Sequence, residues 1–485
     1  MIADTFLKSI QQSLPFELTE PQKEVIKHMC SFVFGSHPMS AYILRGYAGT
    51  GKTTIVSAVI KLLHKLKREV VLLAPTGRAA KVLALHAGFP AYTIHKEIYR
   101  QKETGDIDSH FDLDFNKHKN AVFFVDEASM LSNADSGTSP FGTGRILDDL
   151  ISYVYSSDGC RIIFIGDNAQ LPPVGDDESP ALMAGYLRGL GLNVSGFQLA
   201  TVMRQANESG ILCNATTIRR HITHNSTDTP PVINTSDFKD VCRINGAELT
   251  DTLERDYDRH GMEDVVIITR SNKQAVQYNL GIRNIIFGRE ELLTRGDVVM
   301  VVKNNYYWTE QLAIQAKKEG TSAAMPPVNF LANGDIAIVT HIDCHHEFYN
   351  LHFADVTLSF PDYDDFEMDV RVLLDALTSE SPALTPEQSD MLYRGVLEDY
   401  SDVRSKKERT RKIQLDPNYN AVQIKFAYAV TCHKAQGGQW RNVYVDQGWL
   451  PPDGINRSYY RWLYTAFTRA THRVNLVNWP DEQTS

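Results

Sequence analysis

The segment Gly46-Tyr-Ala-Gly-Thr-Gly51-Lys52-Thr53 constrains this chain more than any other stretch, because it fits G-x-x-x-x-G-K-[ST]. The physical demand behind that pattern is narrow. Glycines let the backbone curl so that successive N–H groups point at phosphate oxygens, and the following helix offers its N-terminus to the same anion. An apolar run, Ala41-Tyr-Ile-Leu-Arg45, precedes the turn, and a helical stretch over residues 53–67 follows it. Gly46, Ala48, Gly49, Thr50, Gly51, Lys52, Thr53 and Thr54 are therefore the expected nucleotide cradle. Lys52 would reach the β- and γ-phosphates and Thr53 would bind Mg²⁺. The implied ligands are ATP and Mg²⁺.

Other short apolar runs end in turn or polar residues, as buried parallel strands do. Glu69-Val-Val-Leu-Leu-Ala74 precedes Pro75-Thr76-Gly77, Ala121-Val-Phe-Phe-Val125 precedes Asp126-Glu127, and Arg161-Ile-Ile-Phe-Ile165 precedes Gly166-Asp167. Strand and helix alternate, which implies an α/β fold with a parallel sheet and its functional residues at the carboxyl edge. A second set, Asp264-Val-Val-Ile-Ile-Thr269, Asn442-Val-Tyr-Val-Asp446 and Arg473-Val-Asn-Leu-Val477, predicts another α/β core built from discontinuous segments. Between them, residues 296–302, 334–340, 348–353 and 368–373 read as antiparallel strands of a small β-barrel. Thr385 and Pro386 then read as the cap and first position of a helix, leading to a charged run over 404–412. Residues 132–144, rich in Gly and Ser, read as a mobile loop.

The carboxylates at one strand end extend the nucleotide site. Asp126 can hold Mg²⁺ through water, and Glu127 can polarise the attacking water. The amide of Gln170, in the loop after the next strand, could touch the γ-phosphate. Hydrolysis also needs positive charge on the transferring phosphoryl group. Arg204 and Arg469 are candidates, although sequence physics alone does not separate them from the other arginines.

Charge and cysteine content exclude little but set the background. The chain of 485 residues, enough for roughly three or four domains, carries a net charge of −10. A negative total argues mildly against nucleic acid, but local charge decides such binding. Residues 45–105 hold eleven Lys and Arg against three Glu. Six cysteines are scattered without a CxxC pair, so buried free thiols are expected rather than a zinc site or disulfides. No apolar run approaches the ~20 residues that span a bilayer, and the first ten residues lack a signal-peptide core. The expectation is a cytoplasmic protein without membrane contact.

Read in order, these segments resemble the motifs of superfamily-one helicases, B branch, most closely the Dda-type and RecD-like enzymes. Leu18-Thr-Glu-Pro-Gln22 resembles the adenine-reading motif, which implies a nucleotide contact for Gln22. Ala74-Pro-Thr-Gly-Arg-Ala-Ala80 and Thr93-Ile-His95 look like DNA-contacting motifs of a first motor domain. Asp126-Glu127 and residues 166–174 are similar to the second and third motifs, and Arg204-Gln205 to the fourth. Val430-Thr-Cys-His-Lys-Ala-Gln-Gly437 resembles the fifth, and residues 464–470 the sixth. The resemblance implies two RecA-like P-loop motor domains with ATP between them, an inserted SH3-like β-barrel and a small wedge hairpin. The expected spans are 1–195 for the first motor domain with a hairpin at 97–119, 196–290 plus 421–485 for the second, and 291–420 for the insert with its helical extension. Arg204 and Arg469 would reach across from the second domain.

The same resemblance implies a 5′–3′ DNA helicase that tracks along single strands and opens forked duplex, working as a monomer. Pro75, Thr76, Arg78, His95, Thr431, His433 and Lys434 are the expected DNA contacts, since single strands are held by charge, polar loop groups and stacking. His95 also reads as a hydrogen-bonded structural histidine. Tyr99, Phe111 and Phe115 in the wedge could stack on a junction base pair or simply pack. Other readings are an ATP-gated single-strand-binding translocase or remodeller without processive unwinding, an RNA motor, and a nuclease subunit. The acidic run Asp362-Tyr-Asp-Asp-Phe-Glu-Met-Asp369 is more simply a solvated loop than a nuclease centre.

Overall fold

The computed structural model describes residues 2–101, 111–134, 141–201, 209–320, 326–328, 330–451 and 454–485. Its first body is a parallel sheet in the order Tyr92–Thr93, Val70–Ala74, Val122–Val125, Arg161–Gly166, Ser40–Gly46, Asn193–Leu199. Side chains alternate across a strand, so each strand feeds two cores. Ala41, Ile43, Leu73, Phe123 and Phe164 face the helix Ile146–Tyr155. Tyr42, Leu44, Leu72, Phe124 and Ile163 face the helices Glu20–Phe34 and Lys52–Lys65. Both faces are covered, which is why the runs read as continuously apolar.

The last strand, Asn193–Leu199, crosses the boundary expected at 195. Its sequence, Asn-Val-Ser-Gly-Phe-Gln-Leu, lacks the apolar run of the others because it is an edge strand with exposed positions. The second body is also a parallel sheet, in the order Ala429–Thr431, Val265–Thr269, Trp440–Val445, Ala470–Val477, Val241–Ile244. One face packs on the helices Gly210–Thr223 and Arg457–Phe467. The other joins the helix Gly246–His260 to the interior of the barrel in one continuous core.

The barrel closes through Val298–Val301, Ile336–Phe348, Leu351–Phe360, Phe366–Leu373 and Val422–Phe426. Two expectations need correction here. Residues 348–353 are not a strand: Tyr349 and Asn350 both take left-handed φ, 57° and 56°, and form the two-residue turn of a long hairpin. The pair lacks the glycine that marks such turns, so apolar flanks masked it. The closing strand Val422–Phe426 lies past the 291–420 span, because the chain returns to the barrel after a helical excursion. That excursion contains Pro386–Asp399, capped by Thr385 with Pro386 at its first position, and Lys406–Gln414. At the barrel's base Asp297, wholly buried, binds Arg283 (3.0 Å) and Arg289 (2.7 Å). Removing one partner of such a pair costs ~3–5 kcal/mol, because the other charge is left buried and uncompensated.

The expected wedge contains an antiparallel pair, Tyr99–Gln101 with Phe111–Leu113, and residues 102–110 lie outside the described residues. Tyr99 and Phe111 are buried and pack on Phe141 at centroid distances of 4.8 Å each, whereas Phe115 is exposed. Part of the stretch read as a mobile loop, residues 135–140, is outside the described residues, but Phe141 is buried at its end. Cys30, Cys160 and Cys432 are buried as expected; Cys213 and Cys242 are half-buried and Cys344 is exposed. No helix among the described residues is long and apolar enough to cross a membrane.

Candidate active site

The phosphate loop joins the internal strand Ser40–Gly46 to the helix Lys52–Lys65 at the carboxyl edge of the first sheet. Two glycines are required there. A Cβ on Gly46 would lie 2.6 Å from Cγ and Cδ of Lys52, and Gly51 has φ +81°, so larger residues would obstruct or strain the curl. The Lys52 ammonium donates to the carbonyls of Gly46 and Tyr47. Gln22 is buried behind the loop: its amide group donates to the Thr50 carbonyl (3.1 Å) and its oxygen accepts the Thr19 N–H (3.0 Å). In this position Gln22 supports the loop.

Asp126 and Glu127 follow the strand Val122–Val125, two places along the sheet, with Glu127 at a left-handed φ of 49°. Burial and the adjacent Glu127 carboxylate push the Asp126 carboxyl above the ordinary range. Gln170 and Asp167 follow the next strand. Burial also raises Asp167, and the Oε1 of Gln170 is buried without a hydrogen-bond partner among the described residues.

A cleft of about 320 Å³ opens over these groups, and the second body forms its other wall. Lys52, Thr53, Asp126, Glu127 and Gln170 line one side; Gly437, Gln439, Thr468 and Arg469 line the other. Arg469 is buried, held by the carbonyls of Thr465 (3.2 Å) and Gly438 (3.3 Å), and its Nη1 lies 3.7 Å from Glu127. Five residues earlier, at the far end of one helical turn and more, Tyr464 bridges the halves. Its hydroxyl donates to Asp167 (2.6 Å) and accepts the Ala48 N–H (2.8 Å). Thr465 Oγ1 accepts the Leu171 N–H (2.8 Å), and Arg219 lies over the Tyr47 ring at 4.2 Å. Arg204 lies outside the described residues.

The donors fit a nucleoside triphosphate with a hard divalent cation. Glycines leave room for phosphates, the Lys52 ammonium supplies positive charge at the loop, and a threonine hydroxyl with a carboxylate is an oxygen ligand set suited to Mg²⁺.

The residues expected on DNA fall into two groups. Pro75 and Thr76 sit at a strand end, and Thr76 Oγ1 caps the helix Gly77–Ala87 by accepting the Ala79 N–H (3.2 Å). Arg78 stacks on Trp440 (4.0 Å) and donates to the Gln439 carbonyl (3.1 Å). Across the halves, a Cβ on Gly437 would lie 3.1 Å from Thr76 Oγ1, so the loop carrying Thr431, His433 and Lys434 adjoins this edge. His433 is exposed, while burial lowers Lys434 to about 8. His95 lies apart, against the rings of Tyr99, Phe141 and Phe330, where burial lowers it to about 4 and leaves it neutral. The acidic run is not simply solvated: Asp362 is partly buried beside Lys81 (3.8 Å), and Tyr363 fits against Gly77.

Two family models match the chain, an AAA domain over residues 17–228 and a UvrD-like helicase C-terminal domain over residues 426–477. The ATP-dependent RecD2 DNA helicase of Deinococcus radiodurans is 32% identical over 170 residues, covering 35% of this chain and 20% of that protein. The ATP-dependent DNA helicase dda of Enterobacteria phage T4 is 28% identical over 183 residues, covering 35% of this chain and 36% of its own. The AAA domain, the UvrD-like helicase C-terminal domain and these relatives together support a superfamily-1B DNA helicase. A Pif1 helicase from Bacteroides, solved with ADP-AlF3 and single-stranded DNA, overlaps 96% of this chain and 93% of its own at 16% identity and a TM-score of 0.44. Matches to the RecD2 and dda helicases span well under two thirds of those proteins.

The phosphate loop and the carboxylates named from the sequence, and Arg469 named from the resemblance, line one cleft. Sequence reasoning did not assign the bridge through Tyr464, the Arg219–Tyr47 contact or the Arg78–Trp440 stack. A tyrosine inside an apolar helix was the available signal, since a buried hydroxyl needs a partner. Nothing local named Asp167 as that partner.

Proposed function

We propose that this helicase translocates 5′ to 3′ on single-stranded DNA and unwinds forked duplex, using ATP and Mg²⁺ bound between its two α/β bodies. Lys52 binds the β- and γ-phosphates, and the loop amides from Gly46 to Thr54 cradle them. Thr53 and, through water, Asp126 would hold Mg²⁺, which would neutralise phosphate charge. Glu127 orients and polarises the attacking water, and Gln170 contacts the γ-phosphate. Arg469, together with Arg204, brings positive charge to the transferring group from the opposite body. The observation that carries this reading is Arg469 of the second body lying within 3.7 Å of Glu127 of the first.

Cleavage of the γ-phosphate removes charge that both bodies share, so the closed arrangement loses stability relative to an open one. The edges bearing Pro75, Thr76 and Arg78 on one body and Thr431, His433 and Lys434 on the other then separate and re-engage along the strand. Support comes from the close approach of Gly437 to Thr76, which ties this edge to the same interface as the cleft. The test is strand separation on forks with either a 5′ or a 3′ single-stranded tail. Unwinding of the 5′-tailed fork is expected, and Lys52→Ala should bind the tail without separating strands. ATP turnover with neither fork opened would instead identify a translocase or remodeller.

A further inference from the structure

The long hairpin of the barrel carries a side-chain cluster that the motor does not use. On the outer face of Ile336–Phe348, Cys344 and His346 stand two residues apart, and Asp355 is the cross-strand partner of Cys344. Their donor atoms converge: Cys344 Sγ lies 3.2 Å from His346 Nε2 and 3.6 Å from Asp355 Oδ2, and those two atoms are 2.8 Å apart. All three lie within 4.8 Å of one another. A tetrahedral zinc ion with ordinary bond lengths separates sulfur, nitrogen and oxygen ligands by about 3.3–3.6 Å, so small side-chain shifts complete the geometry.

The surroundings orient the ligands. His346 stacks on Phe348 at 5.6 Å and 19°, which fixes the ring plane. Arg371, the register partner of Asp355 on the strand Phe366–Leu373, donates its Nε to Oδ1 (2.7 Å) and its Nη2 to Oδ2 (2.8 Å), leaving Oδ2 turned toward His346. The bulge between Ile342 and Cys344 re-aims this part of the strand. We propose that Cys344, His346 and Asp355 form a binding site for a divalent transition-metal ion of the zinc class, with a fourth position open to solvent.

The thiol gives its proton to solvent on binding, His346 uses the Nε2 lone pair with its proton on Nδ1, and Oδ2 exchanges its contact with Arg371 Nη2 for the ion. The ion would staple the two strands whose turn residue Tyr349 packs on Gly395 and binds Asp399 of the helical extension. Cysteine spacing hid the site, because its other ligands come from an interposed histidine and the partner strand.

The experiment is titration of the metal-free full chain with Co²⁺, read by thiolate-to-cobalt charge-transfer absorption. One equivalent should produce the band, Zn²⁺ should bleach it, Cys344→Ser should remove it, and His346→Asn should weaken binding by at least about tenfold. Circular dichroism checks that both variants fold. Absence of a thiolate band at saturating Co²⁺, an undiminished band in Cys344→Ser, or unchanged affinity in His346→Asn would each overturn the proposal.

Discussion

Tyr464→Phe removes one atom from the seam between the two bodies. The ring keeps its packing among buried neighbours, so the change isolates the hydroxyl's two bonds, to Asp167 at 2.6 Å and from the Ala48 N–H at 2.8 Å. A neutral hydrogen bond contributes about 1 kcal/mol and one to a buried carboxyl about 1.5–3 kcal/mol, so the bridge is worth ~2.5–4 kcal/mol. Both bonds join the phosphate loop and its neighbour to the helix that ends beside Arg469. If closure of this seam assembles the hydrolytic site, that energy appears in the barrier. The expected loss in kcat/KM of DNA-stimulated ATP hydrolysis is about 70- to 900-fold at 25 °C. Steady-state kinetics with a saturating single strand measures it. The cycle with Asp167→Asn tests the cause, since two groups in one bond give non-additive effects. A kcat/KM within about threefold of the parent, or strict additivity in the cycle, would refute the reasoning.

Arg469→Ala should lower kcat by about a thousandfold or more while changing ATP affinity less than tenfold, because its charge acts mainly on the transition state. Single-turnover hydrolysis and equilibrium nucleotide binding separate the two; equal losses would mean a ground-state contact. The acid limb of kcat/KM should lie above the ordinary carboxylate value of about 4, because burial and Glu127 raise Asp126 in the free enzyme. The sign follows from the direction: a raised carboxyl takes up its proton at higher pH, so the ionised ligand form is lost earlier on acidification. A limb at or below the ordinary value would contradict that assignment.

The internal strands of both sheets were legible because burial on two faces leaves continuous apolar runs, as in Val122–Val125 and Val265–Thr269. Edge and short strands escaped for the opposite reason. Asn193–Leu199 mixes polar residues with glycine, and Ala429–Thr431 is only three residues long. The hairpin turn at Tyr349-Asn350 escaped because its left-handed residues are not glycines, and Tyr349 is retained by its contact with Gly395.

The candidate site divides in the same way. By itself the sequence determined the phosphate loop, its flanking strand and helix, and the carboxylates at the next strand end, since each depends on neighbours along the chain. Tertiary structure alone decided that Arg469 faces Glu127, that Tyr464 bridges Asp167 to Ala48, and that His95 lies neutral among rings. Those contacts join residues up to several hundred positions apart, and the energy of a buried charge or hydroxyl depends on which distant group meets it.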